Sequence, residues 1–295
     1  MLLLPELVVF ASMVFLGLTS YADLRTGEIP DRLSYGYIAV LLVLSAYGSF
    51  LEGEASLFIE SLTIGVGFFI AGFLMFYLGQ WGGGDVKLVA GIGCALGFLN
   101  HVKYLPENAI PYYPYYLSYF TNMIFLAFPY AAAYGLMIGL KNPGTKEEFG
   151  RYLKQLKIRA VLIMSFAPSI LAMSLHLPKL GIFYLLIPVM LFVALYLKAV
   201  EKTALQEERN VENLREGDVV AEDLMMGTQA LARKRDIEGM STEDIKKIQD
   251  LAAQGKIPEK IMIKRGIKFA PVLFLALLSA IYLGNLIEII TRFLI

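Results

Sequence analysis

The chain has 295 residues, of which 57% are hydrophobic and only 18% are charged, and its mean hydropathy is +0.60. Soluble domains contain roughly 45–50% apolar and about 25% charged residues, so this composition predicts a membrane protein. The 26 basic residues balance the 26 acidic ones, which argues against a nucleic-acid-binding protein. One cysteine and two histidines exclude an intramolecular disulfide and leave too few ligands for a zinc site.

Charge-poor segments recur along the chain, most of them near the length of about 20 residues that crosses a bilayer. They are 7–22, 33–51, 61–84, 86–100, a window within 108–140, 160–175, 180–197 and 269–287. The fourth is short and contains Lys87, and the sixth and seventh share a tight connection, as in a hairpin. We therefore expect an all-α polytopic membrane protein with about eight transmembrane helices, and at least six.

A polar module interrupts this pattern, because about half of the charged residues fall within 199–268. Within it, Ser241 and Asp244 resemble the capping box of a helix, and Gly255 is typical of the residue after a helix end. The expected elements are a helix over about 242–254 and a short strand near 260–264. The sequence therefore predicts a small α+β insertion before the last membrane helix.

The distribution of Lys and Arg predicts the orientation of these helices. With the N-terminus outside, only Lys103, Lys179 and Arg292 lie in outer segments, and the positive-inside rule places the polar module in the cytoplasm. His101 and His176 are then interpreted as outward-facing loop residues. The predicted domains are a membrane core (1–140), a basic loop with a membrane hairpin (141–198), the cytoplasmic module (199–268) and a C-terminal helix (269–295).

Two aspartates are expected to meet at the inner membrane face. Asp23 closes the first span at its inner end, and Asp85 opens the fourth span at the same depth. Ionisable residues at membrane depth are costly and therefore indicate function. Gly82, Gly83 and Gly84 precede Asp85 and allow another segment to approach closely. The alternative interpretation of Asp85 is a helix N-cap that follows a glycine loop.

The loop after the first span carries two further acids. Pro30 and Asp31 look like the entry to the second span, so Asp31 is interpreted as a helix cap and not as a catalytic residue. Glu28 is interpreted as a solvated loop charge, or alternatively as an electrostatic contact for a basic peptide. Asp23, taken alone, is equally compatible with an interfacial acid paired with a nearby basic residue.

These motifs together resemble a known family. An Asp at the end of the first helix, Ile-Pro-Asp at 29–31 and Gly-Gly-Gly-Asp-Val-Lys at 82–87 are similar to the type IV prepilin and archaeal preflagellin peptidases, which are intramembrane aspartyl proteases of the GxGD class. The motifs cover roughly 15–100. The archaeal branch also resembles this chain downstream, with a polar module followed by a last membrane helix, although its members are described with six helices.

The resemblance implies that Asp23 and Asp85 are the catalytic pair. Gly82 and Gly84 match the glycines of the motif, Gly83 lies between them, and Lys87 matches the family lysine, whose role stays open. The cysteine pairs of many larger bacterial members are missing here, so no N-methyltransferase activity is expected.

The implied function is a membrane-embedded endopeptidase that removes short basic leaders from pilin-like or preflagellin precursors at the cytoplasmic face of the cell membrane. Two carboxyls that share one proton supply both a base for water and an acid for the substrate, so no cofactor is expected. Glu28 and Asp31 are candidate contacts for the basic leader. The expected partners are the precursor and the lipid bilayer, and the oligomeric state stays open.

Two other classes of protein fit part of the pattern. Paired aspartates and glycine-broken helices also suit an ion or proton transporter, although both acids are expected near the surface and not at the midplane. A noncatalytic scaffold for pilus or flagellum assembly, with the polar module as its partner site, is the third reading. Cleavage of a precursor favours the protease, and ion flux favours the transporter.

Overall fold

The structure is a computed structural model, which describes residues 3–104, 115–226, 229–233, 239–264 and 266–294. The described chain is mostly helical, as the sequence predicts. It divides into two compact units, one formed by 1–128 with 268–293 and the other by 129–267. Part of the predicted fifth span, residues 108–114, lies outside the described residues.

Four helices open the first unit. They are α1 (Leu4–Thr26), α2 (Asp31–Glu52), α3 (Ser56–Tyr77) and α4 (Gly83–His101). The first ends because Gly27 adopts a left-handed conformation, with φ of 76°, and donates its N–H to the Asp23 carbonyl over 2.8 Å. Glycine takes this conformation without steric cost, so the chain can turn at once toward α2.

Helix α4 is the centre of this unit. It packs against α1, α2 and α3, and 13 of its residues are buried. Its glycines permit this, since a Cβ on Gly97 would lie 2.8 Å from the Ser61 Cα and one on Gly93 would lie 2.8 Å from the Ile64 carbonyl oxygen. Small residues at such positions let two helix backbones approach closely in a membrane.

The first unit is completed by the start of α5 (Tyr115–Gly139) and by the C-terminal helices α12 (Ala270–Leu283) and α13 (Leu286–Leu294). The last two are bent by 56° at Gly284 and Asn285. Asn122 of α5 satisfies the break, because it donates to the Gly284 carbonyl over 2.7 Å and accepts the Leu286 N–H over 2.9 Å. A helix break inside a membrane requires such internal partners.

The second unit contains the rest of α5, five further helices and the polar module. The helices are α6 (Pro143–Lys154), α7 (Leu156–Met164), α8 (Ala167–Ser174), α9 (Pro178–Tyr184) and α10 (Leu186–Thr203). Helices α8 and α9 pack together, and Ser169 Oγ donates to the Gly181 carbonyl over 2.7 Å. Helices α8 and α9, which lie within the sixth and seventh predicted spans, are therefore adjacent.

Six helical segments of the described chain are long and apolar enough to cross a membrane, or seven if the bent pair α12–α13 counts as one span. The predicted minimum of six is confirmed, whereas the count of eight is not. Helix α4 is not among the six, because its glycines, Asp85 and Lys87 lower its hydropathy. Its burial among other helices makes a lipid-compatible surface unnecessary.

The polar module is a small α+β unit. Its elements are β1 (Gln206–Asn210), a 3₁₀ turn (Val211–Asn213), β2 (Leu224–Met226), β3 (Gln229–Ala232), α11 (Thr242–Ala253) and β4 (Lys260–Lys264). Strand β1 pairs antiparallel with β4, with Gln206 opposite Lys264, and β2 pairs antiparallel with β3. The apolar face of α11 is buried in a cluster that includes Ile248 and Ile263. The predicted helix and strand are both confirmed.

Candidate active site

Asp23 lies in the last turns of α1, and its side chain is buried. Its Oδ2 accepts a hydrogen bond from the Ala270 backbone N–H at 3.0 Å. Ala270 is the first residue of α12, so the carboxyl group lies at the positive end of that helix. The Lys268 ammonium acts on the same carboxyl through its charge and donates to the Leu24 carbonyl.

Asp85 lies in the first turn of α4, directly after the three glycines. Its Oδ2 accepts the Gly82 N–H at 3.0 Å. The N-cap is Gly82, so the interpretation of Asp85 as the N-cap is wrong; Asp85 is the third residue of the helix, and its side chain accepts the N–H of the N-cap residue. Its Oδ1 is buried and has no hydrogen-bond partner within the described chain. One oxygen of Asp85 thus holds the turn, while the other has no described hydrogen-bond donor.

The structure brings the two predicted aspartates together. Helices α1 and α4 pack against each other, and the Asp23 and Asp85 carboxyl groups interact through their charges. A charge on one carboxyl disfavours ionisation of the other, so the pair is more easily ionised once than twice. This arrangement can activate a water molecule and polarise a carbonyl group in the same site.

The glycine turn rests against the Ile-Pro-Asp segment. A Cβ on Gly84 would lie only 2.7 Å from the Ile29 Cβ, whereas a Cβ on Gly82 would lie 3.5 Å from Asp85 Oδ2. A Cβ on Gly83 would meet nothing described within 4 Å. The close approach that the glycines predict therefore depends on Gly84.

Asp31 and Lys87 form an ion pair, with 2.5 Å between Oδ1 and Nζ, that joins α2 to α4. The interpretation of Asp31 as a helix cap is wrong, because Pro30 is the N-cap and Asp31, the first helical residue, makes no capping hydrogen bond. Lys87 Nζ also lies 4.8 Å from the centre of the Tyr35 ring. Glu28 is exposed on the loop beyond α1.

Sequence reasoning missed the contacts that the start of α12 and the residue before it make with the site. Ala270 bonds to Asp23, and the ring of Phe269 lies 5.8 Å from that of Trp81, the residue that precedes Gly82. Pro271 directly before an apolar run signals a helix start. The predicted last span indeed begins at 269, but this signal does not reveal which side chain the start of the helix contacts.

The expectation that His101 is an outward-facing loop residue is also wrong. His101 ends α4, and its two ring nitrogens lie 2.9 Å from Glu60 and 3.4 Å from Glu52. These contacts join the ends of α2, α3 and α4 far from the two aspartates. His176 is exposed between α8 and α9, as expected.

Aspartic proteases use two carboxyl groups that share one proton, and the Asp23–Asp85 pair is compatible with that chemistry. Comparison with known proteins agrees: residues 10–140 match the type IV leader peptidase family. The resemblance found in the motifs is thus confirmed over this part of the chain, and the chain is a peptidase. No solved structure matches the chain.

Several curated archaeal proteins are similar to this chain. The prepilin peptidase EppA of Methanothermobacter thermautotrophicus is 25% identical, over 99% of this chain and 98% of that protein. The prepilin peptidase EppA of Methanocaldococcus jannaschii is 21% identical over 91% of this chain and 94% of its own length. The preflagellin peptidase of the same organism is 31% identical, but over 44% of this chain and 58% of that protein.

Proposed function

We propose that this protein is a membrane-embedded aspartic endopeptidase that removes the basic leader from pilin-like precursors at the cytoplasmic face of the cell membrane. The observation that carries the proposal is the convergence of Asp23 and Asp85 from the ends of two packed helices. Both carboxyls are anchored by backbone N–H groups, Asp23 by Ala270 and Asp85 by Gly82. Such anchoring holds a catalytic pair in a fixed geometry.

The length of the similarity favours a pilin-like precursor over a preflagellin. The two relatives named prepilin peptidase align with 99% and 91% of this chain, whereas the preflagellin peptidases of Methanocaldococcus jannaschii and Methanococcus voltae align with 44% and 37%. The polar module therefore belongs to the part shared with prepilin peptidases. We infer that the substrate is a protein with a short leader before an apolar helix.

Hydrolysis at this site follows from the chemistry of a shared proton. The ionised carboxylate takes a proton from water, and the resulting hydroxide attacks the scissile carbonyl carbon. The protonated carboxyl donates to the carbonyl oxygen, and the leaving nitrogen is protonated as the carbon–nitrogen bond breaks. The two aspartate side chains and water supply every proton transfer in this reaction.

The proposed sidedness supports this substrate. The positive-inside rule predicts that the ends of α1 and α4 that carry the aspartates lie at the cytoplasmic face. A basic leader would then meet exposed Glu28 close to the site. Asp31 is a weaker candidate contact, because Lys87 already neutralises its charge.

The test is cleavage of a purified pilin-like precursor by the detergent-solubilised enzyme, read as the new N-terminus by mass spectrometry. We expect the wild type to release the leader, the Asp85→Asn variant to release none, and the exposed module variant Asp250→Asn to match the wild type. A parallel reaction with a preflagellin should be slower. Absence of cleavage by the wild type, together with ion flux in proteoliposomes, would instead identify a transporter.

A further inference from the structure

The two carboxyls of the site have different surroundings, and this asymmetry bears on their roles in the proposed reaction. Asp23 receives the first N–H of α12 on Oδ2 and lies within the field of the Lys268 ammonium. A helix N-terminus and a nearby cation both favour a negative charge. Asp23 is therefore the member of the pair that the protein equips to be ionised.

Among the described residues, no cation comparable to Lys268 acts on Asp85. Its Oδ2 receives one N–H, from Gly82, and its buried Oδ1 has no partner within the described residues. The one cation on its own helix nearby, Lys87, is already paired with Asp31 at 2.5 Å. A carboxylate oxygen that is buried without a donor is costly, whereas a protonated carboxyl in the same place can donate its hydrogen to a substrate.

The segment Lys268–Ala270, at the start of α12, also contacts both halves of the site. Ala270 bonds to Asp23, and Phe269 packs on Trp81, which precedes the glycine turn of Asp85. Lys268 additionally donates to the carbonyl of Leu24, the residue after Asp23. The end of α1 and the turn before α4 are therefore held by the same three consecutive residues.

We propose that Asp23 is the general base, that Asp85 carries the shared proton on Oδ1 and acts as the acid, and that Lys268 is the positioning residue that maintains this polarity. The assignment rests on the proposed peptidase function. Asp23 accepts a proton as the water oxygen bonds to the scissile carbon, while Asp85 protonates the carbonyl oxygen. On collapse Asp85 recovers its proton from that oxygen, and Asp23 passes its proton to the leaving nitrogen.

The charged groups around Asp23 allow the effect of the Lys268 charge on this carboxyl to be measured separately. Among the elements packed on α1, helix α4 contributes Asp85 and the segment before α12 contributes Lys268. Helix α2 contributes Asp31, whose charge is offset by Lys87. Arg25 of α1 itself is exposed and donates to the Tyr21 hydroxyl. Removal of the Lys268 charge therefore removes the one cation of the described chain that acts on Asp23.

The first experiment measures the pH profile of kcat/KM for precursor cleavage. We expect the acidic limb of the Lys268→Gln profile to move to higher pH by about one unit, because the ionised base is less favoured. Lys268→Arg should restore the wild-type limb, and Lys260→Gln, an exposed lysine of β4, should not move it. An unchanged limb in Lys268→Gln overturns the inference, whereas absence of cleavage by the wild type overturns the proposed function itself.

The second experiment identifies the protonation states directly, in the wild-type protein. An epoxide alkylates an ionised carboxylate, whereas a diazo reagent must take a proton from a carboxylic acid before it forms the ester. After each reagent is applied at the pH of maximal activity, peptide mass spectrometry locates the modified residue. We expect the epoxide on Asp23 and the diazo-derived ester on Asp85, and the reverse pattern would contradict the assignment.

Discussion

Gly84 is the residue of the glycine turn with the least free space, since a side chain there would overlap Ile29. We expect Gly84→Ala to lower kcat/KM for precursor cleavage at least tenfold, because the turn before Asp85 must shift to relieve the 2.7 Å contact. Gly83→Ala is the matched control, because a methyl group at that position meets no described atom within 4 Å. Equal losses of kcat/KM in the two variants would show that activity depends on the flexibility of the turn and not on the contact between Gly84 and Ile29.

The Asp31–Lys87 ion pair is expected to contribute little to stability. The two side chains are 64% and 24% exposed, and pairs of this kind contribute at most about 1 kcal/mol. Asp31→Asn should therefore lower the thermal unfolding temperature in detergent only slightly and retain most of the cleavage activity. A loss of activity equal to that of Asp23→Asn would place Asp31 among the catalytic residues.

The positions of individual site residues could be predicted where a local sequence pattern marked them. Asp23 and Asp85 were located by the ends of apolar runs and by the adjacent glycines. The contact between Asp23 and Ala270 was not predictable, because 247 positions separate the partners and a backbone N–H leaves no trace in the sequence. Asp31 was misread as a cap for a similar reason, since its partner, Lys87, lies on another helix.

Among the elements, α4 depends most on close packing. Gly97 touches the backbone of α3, so Gly97→Val should cost about 1–3 kcal/mol through overpacking, measured as the free energy of unfolding in mixed micelles. Gly67→Val on α3 is the control, because its Cβ would meet nothing within 4 Å in the described chain. If both variants lose a similar amount of unfolding free energy, close contact between α3 and α4 is not the cause.

Helix α11 tests the capping box of the polar module. Ser241 Oγ accepts the Asp244 N–H, and the Asp244 carboxylate accepts the Ser241 N–H at 3.0 Å. Ser241→Ala should cost about 1 kcal/mol and speed hydrogen exchange of the α11 amides, whereas Ser241→Thr keeps the hydroxyl and should exchange as the wild type does. Equal exchange in Ser241→Ala and the wild type would contradict the cap.

The same cap predicts a pH dependence. The hydrogen bonds from Ser241 lower the pKa of Asp244 below its ordinary value. A carboxyl whose folded pKa is depressed contributes stability above its unfolded pKa, near 4, and the contribution is lost as the pH falls through the folded value. Exchange protection of α11, corrected for intrinsic rates, should therefore decrease below about pH 4 in the wild type and not in Asp244→Asn.

At the scale of the whole molecule, apolar runs and charge clusters were sufficient to predict a helical membrane protein with a small α+β insertion. The number of spans could not be predicted in the same way, because hydropathy treats α4 as an isolated segment. In the structure this helix is buried among other helices. The bent pair α12–α13 was read as one span for a comparable reason. Its break depends on Asn122, a partner 162 positions before Gly284.

The central claim is that Asp23 and Asp85 act as one unit, and the direct test is the cleavage rate of Asp23→Asn, Asp85→Asn and the double variant on one precursor. Residues that act together show losses that do not add. We predict that each single variant falls to the same residual rate as the double variant, with all three proteins inserted and folded. A single variant that keeps a rate near wild type, or losses that multiply in the double variant, would contradict the account.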